Sequence, residues 1–278
     1  METALKLSAS ALRRAGRPAG KHGGLGTLFR PVDLIHGSCW RAILAFACPI
    51  ILSYLLQQIY TISDAAIVGQ TLTAQEVAGV NDTSSLIFIF LQFAFGVSAG
   101  FCSVTSCRVG AHDDAGVRRS LAVQFVLSGI LTVVLTALAL ALLDPMLAWI
   151  NVTPESGEVY RAAHTYCAVI FAGIGAQLFY NFVCSFLRSM GDSATPLAFL
   201  LFSTVLNVGL DLLFILAFRW GVAGAAFATV TAQLLSTVGC FLYAFRRYPQ
   251  LRLTRADWHF PRHEVTRHLI QGVPLGLQ

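Results

Sequence analysis

The sequence is poor in charge. Only 12% of its 278 residues are Asp, Glu, Lys or Arg, whereas 56% are hydrophobic. Soluble globular chains carry about 25% charged residues and could not hide so much apolar surface. The composition therefore excludes an ordinary soluble domain and indicates a chain solvated by lipid.

Motifs for bond-making chemistry are also missing. The seven Cys stand singly with no C-x-x-C pair, and no His lies deep in an apolar run. A zinc site or a catalytic base needs such ligands at membrane depth. His259, His263 and His268 are too loosely spaced for a metal site, so we interpret them as parts of a solvated connection. We predict no enzymatic activity, no cofactor and no metal.

Long apolar runs are what the chain has instead. Each exceeds the ~20 residues that a helix needs to cross a bilayer. They cover 42–68, 84–108, 119–143, 161–187, 195–218 and 222–245. The predicted fold is therefore all-α, a polytopic transmembrane bundle of six spans.

The runs divide the chain into four predicted parts. Residues 1–38 are Gly-, Ala- and Arg-rich and form a disordered basic tail, and 39–246 form the six-helix lobe. Residues 247–263 are a polar connection, and 264–278 turn apolar again. In this last part Arg267 is followed by an apolar stretch and Pro274, seven residues on, much as Arg41 is followed by Pro49, eight residues on. This similarity indicates the start of a truncated seventh helix in a second repeat. A short amphipathic helix at the membrane surface is the alternative.

Basic residues predict the orientation. Of the 19 Lys and Arg residues, 17 fall in the tail, in the second and fourth connections or after the sixth run, and only Arg161 and Arg219 lie opposite. The positive-inside rule then predicts a cytoplasmic N-terminus. We expect the protein to lie in the plasma membrane. The basic balance reflects topology and does not indicate nucleic-acid binding.

Two acids stand out because they lie within apolar runs. Asp64 and Asp211 are the only carboxylates so placed. A charge at bilayer depth costs several kcal/mol and usually faces a cavity or a partner, so it marks an ion or substrate route. The pair predicts a transport site.

Polar companions follow both acids at helical spacing. Gln57 and Tyr60 share a stripe with Asp64, Asn207 shares one with Asp211, and Thr229 lies in the sixth run. Counting from the run ends places the acids and Thr229 roughly 6–11 Å below the outer surface. This set suits a monovalent cation held by oxygens or a proton shared between carboxylates. Asn207 and Thr229 taken singly could also be interhelical hydrogen-bond partners.

Several segments, in this order and spacing, resemble the multidrug and toxic compound extrusion (MATE) transporters. The resemblance runs from about Cys39 to the end. It is carried by Gln57-Gln-Ile-Tyr60-Thr-Ile-Ser-Asp64, Arg108-Val-Gly110, Arg188-Ser-Met-Gly191-Asp192-Ser-Ala-Thr-Pro196, Asn207-Val-Gly-Leu-Asp211 and Gly221-Val-Ala-Gly224-Ala-Ala-Phe-Ala-Thr229-Val-Thr-Ala-Gln233.

The resemblance implies an antiporter that exports cationic or amphipathic compounds against inward sodium or proton flow. It implies that Asp64, Asn207, Asp211 and Thr229 bind the cation or proton and that Gln57 and Tyr60 line the same cavity. Pro49 is the expected helix kink. The cytoplasmic loop signature comprises Arg188, Gly191, Asp192 and Pro196, to which we assign a structural role.

The family has two six-helix lobes, whereas this chain has one and the start of a seventh span. The expected partners are membrane lipid, small cationic substrates and the missing C-terminal lobe. That lobe would be a separate chain, a second copy in a homodimer, or lost by truncation. A flippase or carrier of the same superfamily for lipid-linked substrates is the alternative function, although its cavity would favour cationic rather than acidic residues.

Overall fold

The computed structural model describes residues 39–251, 253–258 and 261–278; for 39, 41, 42, 45, 250, 255 and 256 it describes the backbone alone. The predicted disordered tail and His259 lie outside this part. Within it the secondary structure is helical, which confirms the all-α fold. The α-helices are α1 (Cys39–Thr71), α2 (Ala74–Gly110), α3 (Asp114–Ala141), α4 (Leu143–Trp149), α5 (Glu158–Ala172), α6 (Ile174–Ser189), α7 (Ala194–Asp211), α8 (Gly221–Arg247) and α9 (Arg262–Gly276).

Five helices are long and apolar enough to cross a membrane by themselves. They are α1 from Phe46, α2, α3, α7 with its extension to Ala217, and α8. Helices α5 and α6 meet at Gly173 with a bend of 43° and qualify together as a sixth span. A Cβ at Gly173 would lie 2.4 Å from a methyl group of Val230 on α8. Glycine at the bend therefore lets α8 pack closely against it. Up to six spans are therefore present in the described part, as the apolar runs predict.

The second span begins earlier than its apolar run. The apolar run begins at residue 84, but α2 starts at Ala74, where Thr73 and Glu76 form a capping box. The Thr73 hydroxyl accepts from the Glu76 amide, and the Glu76 carboxylate accepts from the Thr73 amide at 2.9 Å. The helix is longer than the apolar run because hydropathy does not register a polar first turn. Asp82 consequently lies inside α2, on its exposed surface.

Two large buried apolar clusters contribute most of the core of the bundle. One lies between α2, α3, α4, α5 and α6 and includes Phe171 and Leu178. The other lies towards the end of the bundle that carries most of the basic residues, hereafter the basic end, and includes Phe186 and Leu187. Helix α1 is peripheral: it packs chiefly against α7, and most of its surface is open.

The loop signature between α6 and α7 folds around Asp192. Its buried carboxylate accepts from the Thr195 amide (3.0 Å), the Thr195 hydroxyl (2.7 Å) and the Tyr248 hydroxyl (3.1 Å). Gly191 has a positive φ of 81°, which glycine adopts at little cost. Pro196 lies in the first turn of α7, where its missing N–H removes no helix bond. Arg188 donates to the Ser185 hydroxyl at 3.2 Å.

The polar connection after α8 contains short 3₁₀ turns and contacts α3. Asp257 accepts from the amide and hydroxyl of Thr254, at 2.7 and 2.6 Å, and pairs with Arg118 of α3 at 3.6 Å. Burial acts to raise the pKa of Asp257, but the Thr254 hydrogen bonds and the Arg118 charge outweigh it and lower the pKa. The carboxylate is therefore ionised at neutral pH and secures the connection.

Candidate cation site

The two acids of the apolar runs meet in space. Asp64 comes from α1 and Asp211 from the last residue of α7, and their carboxyl groups are close enough to interact directly. This contact lies where the otherwise peripheral α1 packs on α7. Asp211 is fully buried and Asp64 partly so. Two carboxylates so placed repel each other unless a cation or a proton lies between them.

Asn207 and Thr229 extend the pair. Asn207 is fully buried one turn before Asp211. Its amide donates to the Thr229 hydroxyl on α8 at 3.5 Å. Three helices thus contribute to one cluster, and the structure brings together the four residues predicted as a cation or proton site.

The cluster presents oxygens that accept no hydrogen bond. Among the described residues, Asp64 Oδ1, Asn207 Oδ1 and both Asp211 carboxylate oxygens are buried without a hydrogen-bond partner. Buried acceptors left unpaired are costly, and such atoms in a native fold call for an explanation. Carboxylate and amide oxygens are the donors that hard cations prefer, so the set is suited to Na+ or to a shared proton.

The backbone at Asp211 is unusual. Helix α7 changes there into a π-helical turn, Leu212–Ala217, in which the Phe218 amide bonds to the Leu213 carbonyl at 3.0 Å. π-Helical turns are rare and occur often at functional sites. The wider turn begins directly after the carboxylate, so the cluster lies at a change in helix winding.

Two tyrosines adjoin the acids. Tyr60 of α1, predicted to line the cavity, lies next to Asp64, Asp211 and the Thr229 hydroxyl. Tyr166 of α5 also lies next to both acids and Tyr60, and the sequence analysis missed it. It is the ninth residue of α5, so counting depth along the fourth run as for Asp64 could have found it.

Other predicted residues lie farther from the acids. Gln57 is exposed on α1, two turns from Asp64. Pro49 is buried within α1, which continues through it, and its carbonyl accepts from the Ser53 hydroxyl at 2.8 Å. The loop signature lies at the basic end, away from the cluster. In the described part of the chain no group of three or more His, Cys, Asp and Glu side chains could hold a metal ion.

Helix α9 departs from the interpretation of the histidines. We assigned His263 and His268 to a solvated connection; His263 is exposed, but His268 is fully buried. Its ring contacts the Ser120 hydroxyl at 2.7 Å. The assignment of His268 was wrong because α9 begins at Arg262 and turns this side chain inward.

Comparisons with known proteins show the family of this chain. The profile of the MatE family matches residues 49–213. The probable multidrug resistance protein YpnP of Bacillus subtilis (strain 168) is 30% identical over 88% of this chain and 54% of its own length. A solved outward-facing multidrug resistance MATE family transporter superposes with a TM-score of 0.81 at 26% identity, over 89% of this chain and 54% of that one. An inward-facing structure of such a transporter gives 0.72 at 25% identity, over 82% and 53%.

The match covers most of this chain and only part of each relative. The chain spans about half the length of the relatives named above. The family match nevertheless includes α1 from Pro49 onward, α7 and both acids of the cluster. The chain belongs to the MatE family of multi-pass membrane transport proteins.

Proposed function

We propose that this chain forms one lobe of an antiporter that exports cationic or amphipathic compounds in exchange for inward-moving Na+ or H+. The observation that carries the proposal is the buried contact between Asp64 and Asp211, with four oxygens lacking hydrogen-bond partners. A cation or proton entering this cluster removes the repulsion between two carboxylates, so its binding and release can be coupled to a change in helix packing.

The substrate class follows from the relatives and from charge. YpnP is named as a probable multidrug resistance protein, and the cluster is acidic. A carrier of anionic lipid-linked headgroups would need cationic side chains, whereas the carboxylates here favour cations. Export of cationic compounds therefore fits better than flipping of an anionic lipid.

The proposed arrangement places the N-terminus and the basic end in the cytoplasm of a plasma-membrane protein. The acidic cluster then lies in the outer half of the bilayer. A second lobe, from another chain or a second copy, would complete the cavity between two bundles.

Dye export by cells tests the proposal. The chain, alone and together with the second half of a relative such as YpnP, is produced in a host lacking its own pumps, and accumulation of a cationic dye is measured. We expect export by at least one combination, and we expect Asp64→Asn and Asp211→Asn each to abolish it while membrane levels stay unchanged. Asn keeps the shape and removes the charge. Asp144→Asn is the matched control, because Asp144 is exposed and contacts Tyr160 at 2.8 Å and His164 at 3.5 Å rather than the residues of the cluster. Unchanged export by both cluster variants would contradict the proposal.

A further inference from the structure

An apolar groove opens on the surface of the lobe between α5 and α8. It has a volume of about 320 Å³, and its lining residues are all apolar: Ala168, Val169, Ala172, Gly173, Phe227 and Val230. Ala172 and Phe227 are exposed, so the groove is open to the surroundings of the protein. Both of its walls belong to membrane spans, so those surroundings are hydrocarbon rather than water.

The groove ends at the bend between α5 and α6. Beyond Gly173 the two walls touch, and the Thr237 hydroxyl of α8 donates to the Ala176 carbonyl of α6 at 3.1 Å. In the other direction Arg161 lies on α5 twelve residues before Gly173, a distance of ~18 Å along a helix. The hydrocarbon core of a bilayer is ~30 Å thick, so the surface from Arg161 to Gly173 extends over about one leaflet.

One face of α5 continues the groove towards the end of the bundle opposite to the basic end. Arg161, Thr165, Ala168 and Ala172 follow one another at steps of four, three and four residues, which puts them on one side of the helix. Arg161 and Thr165 are both exposed. The groove is therefore apolar at membrane depth and polar where α5 approaches the membrane surface.

An exposed aromatic cluster lies above the other wall. Trp220 is at its centre, with its ring centroid 5.2, 5.4 and 6.0 Å from those of Phe214, Phe218 and Phe227. Phe227 belongs to both the cluster and the groove, and about half of the Trp220 side chain is exposed. Tryptophan in membrane proteins is enriched at the level of the lipid headgroups. The cluster thus marks the headgroup level directly above the groove.

Two arginines lie at this level. Arg161 and Arg219 are the two of the 19 Lys and Arg residues that the charge pattern places at this end. Arg219 precedes Trp220, and Ala162, next to Arg161, shares a small buried cluster with Val222. Both arginines are exposed, and within the described part of the chain neither guanidinium has a hydrogen-bond or ion-pair partner. Their charge is therefore available to an anion at the membrane surface.

Two acids adjoin the arginines without neutralising them. Glu76 approaches Gly221, but its carboxylate accepts from the amide and hydroxyl of Thr73 at 2.9 and 3.0 Å. Glu158 is exposed one turn before Arg161 and forms no ion pair with it in the described structure.

We propose that this surface binds one anionic phospholipid, with its phosphate between Arg161 and Arg219 and one acyl chain in the groove. Guanidinium groups bind phosphate through paired, charge-assisted hydrogen bonds. The apolar groove accepts a hydrocarbon chain and no polar group. In the proposed orientation the lipid belongs to the outer leaflet. The site itself does not depend on the proposed antiport function.

The position of α9 favours lipid over a second lobe as the partner of this surface. Helix α9 leads out of the lobe and contacts α2 and, less extensively, α3. The groove is formed by α5, α8 and the bend at Gly173 instead. A bound chain would hold together the two helices that carry Tyr166 and Thr229, next to the acidic cluster.

Tryptophan quenching tests the headgroup site. In a variant that keeps Trp220 and has Phe at the other three tryptophans (Trp40, Trp149 and Trp258), the chain is reconstituted in phosphatidylcholine nanodiscs. These contain a small fraction of either phosphatidylglycerol or phosphatidylcholine that carries bromine in the upper acyl chain. We expect phosphatidylglycerol to quench the fluorescence more strongly at equal mole fraction, because it adds a net negative charge that the arginines attract.

Variants at the arginines measure their contribution. Arg161→Gln and Arg219→Asn should each lower the preference for phosphatidylglycerol about fivefold. Asn is chosen at 219 because the backbone there has a positive φ of 55°, which Asn tolerates. Arg246→Gln, at an exposed arginine of the basic end, should leave the preference unchanged. Equal quenching of the parent by the two lipids, or a preference that both arginine variants retain, would overturn the proposal.

Filling the groove tests the acyl-chain site without changing any charge. Ala172→Phe should lower the preference, whereas Ala137→Phe, on the exposed surface of α3, should not. A preference that survives Ala172→Phe would overturn the acyl-chain site; if that variant does not fold, the arginine variants still decide the headgroup site. Shielding of Trp220 from both lipids, with Trp149 quenched in its own single-tryptophan variant, would mean that protein covers the groove and would also overturn the proposal.

Discussion

Asp64 and Asp211 belong to helices that are distant in sequence. The buried position of each acid is explained by its contact with the other. A lone carboxylate in either span would need a solvated cavity, because burying a charge without a partner is costly. Together with Asn207 and Thr229 they form an oxygen-rich cluster that a small cation can neutralise. The proposed ion site therefore depends on the convergence of three helices rather than on any one motif.

The contribution of Asp192 to the stability of the fold can be measured. Replacing it with Ala removes three hydrogen bonds and leaves the Thr195 amide without its cap. We expect Asp192→Ala to lower the free energy of unfolding by about 1–3 kcal/mol in a thermal or denaturant titration of the purified chain. Tyr248→Phe, which removes one of the bonds, should cost about 1 kcal/mol.

The exposed acid Asp144 provides the control for this measurement. Its replacement by Ala should change stability by less than about 0.5 kcal/mol. If Asp192→Ala were as mild as Asp144→Ala, the loop signature would not owe its fold to this carboxylate.

At the scale of helices, close packing through glycine predicts which substitutions fail. A Cβ on Gly79 of α2 would lie 2.6 Å from the Val159 carbonyl and 3.0 Å from the Ala162 Cβ of α5. We expect Gly79→Ala to lower the melting temperature because backbone atoms cannot move aside as a flexible side chain can. Gly129→Ala should keep or raise it, since alanine favours a helix by up to about 1 kcal/mol where space is open. Equal melting temperatures for the two variants would mean that α2 and α5 are not held as close as described.

Hydropathy predicts the helices better than their ends or their bends. The six apolar runs predict the spans because a long apolar segment in lipid must pair its backbone groups within a helix. The spacing of four residues between Asn207 and Asp211 predicts that they share a helix face. The start of α2 at Ala74 was missed because the Thr73–Glu76 cap is polar. The bend at Gly173 and the π-helical turn after Asp211 depend on contacts with other helices, which a linear pattern does not contain.

The two glycine pairs through which α2 and α9 pack closely can be read in the sequence, but the sequence analysis did not use them. Gly96-x-x-x-Gly100 and Gly272-x-x-x-Gly276 both stand in the sequence. Neither pair specifies its partner, since small residues at this spacing are common in membrane helices. The buried positions of Arg108, Glu264 and His268 became evident only when the two helices were seen to run antiparallel with these side chains at matching depth.

At the scale of the whole molecule, the orientation remains a prediction from charge. Single Cys residues at Ala111 and at Glu155, both exposed and at opposite ends of the bundle, provide the test on a Cys-free background. In intact cells a membrane-impermeant thiol reagent should label position 155 and not position 111, because the basic end is expected in the cytoplasm. Labelling of 111 with protection of 155 would contradict the expected topology and would put the proposed cation site in the inner half of the membrane.

The central claim is that Asp64 and Asp211 act as one ion site, and the ion dependence of thermal stability tests it most directly. The purified chain is melted in detergent across a series of Na+ concentrations and, separately, of pH values. A ligand at about 100 times its dissociation constant stabilises the state that binds it by about 2.7 kcal/mol. We predict that the parent responds to one of the two ions and that Asp64→Asn, Asp211→Asn and the double variant lose this response to the same extent. An ion-dependent shift in melting temperature that persists in both single variants would contradict the shared site. So would a shift that each single variant halves and only the double variant abolishes.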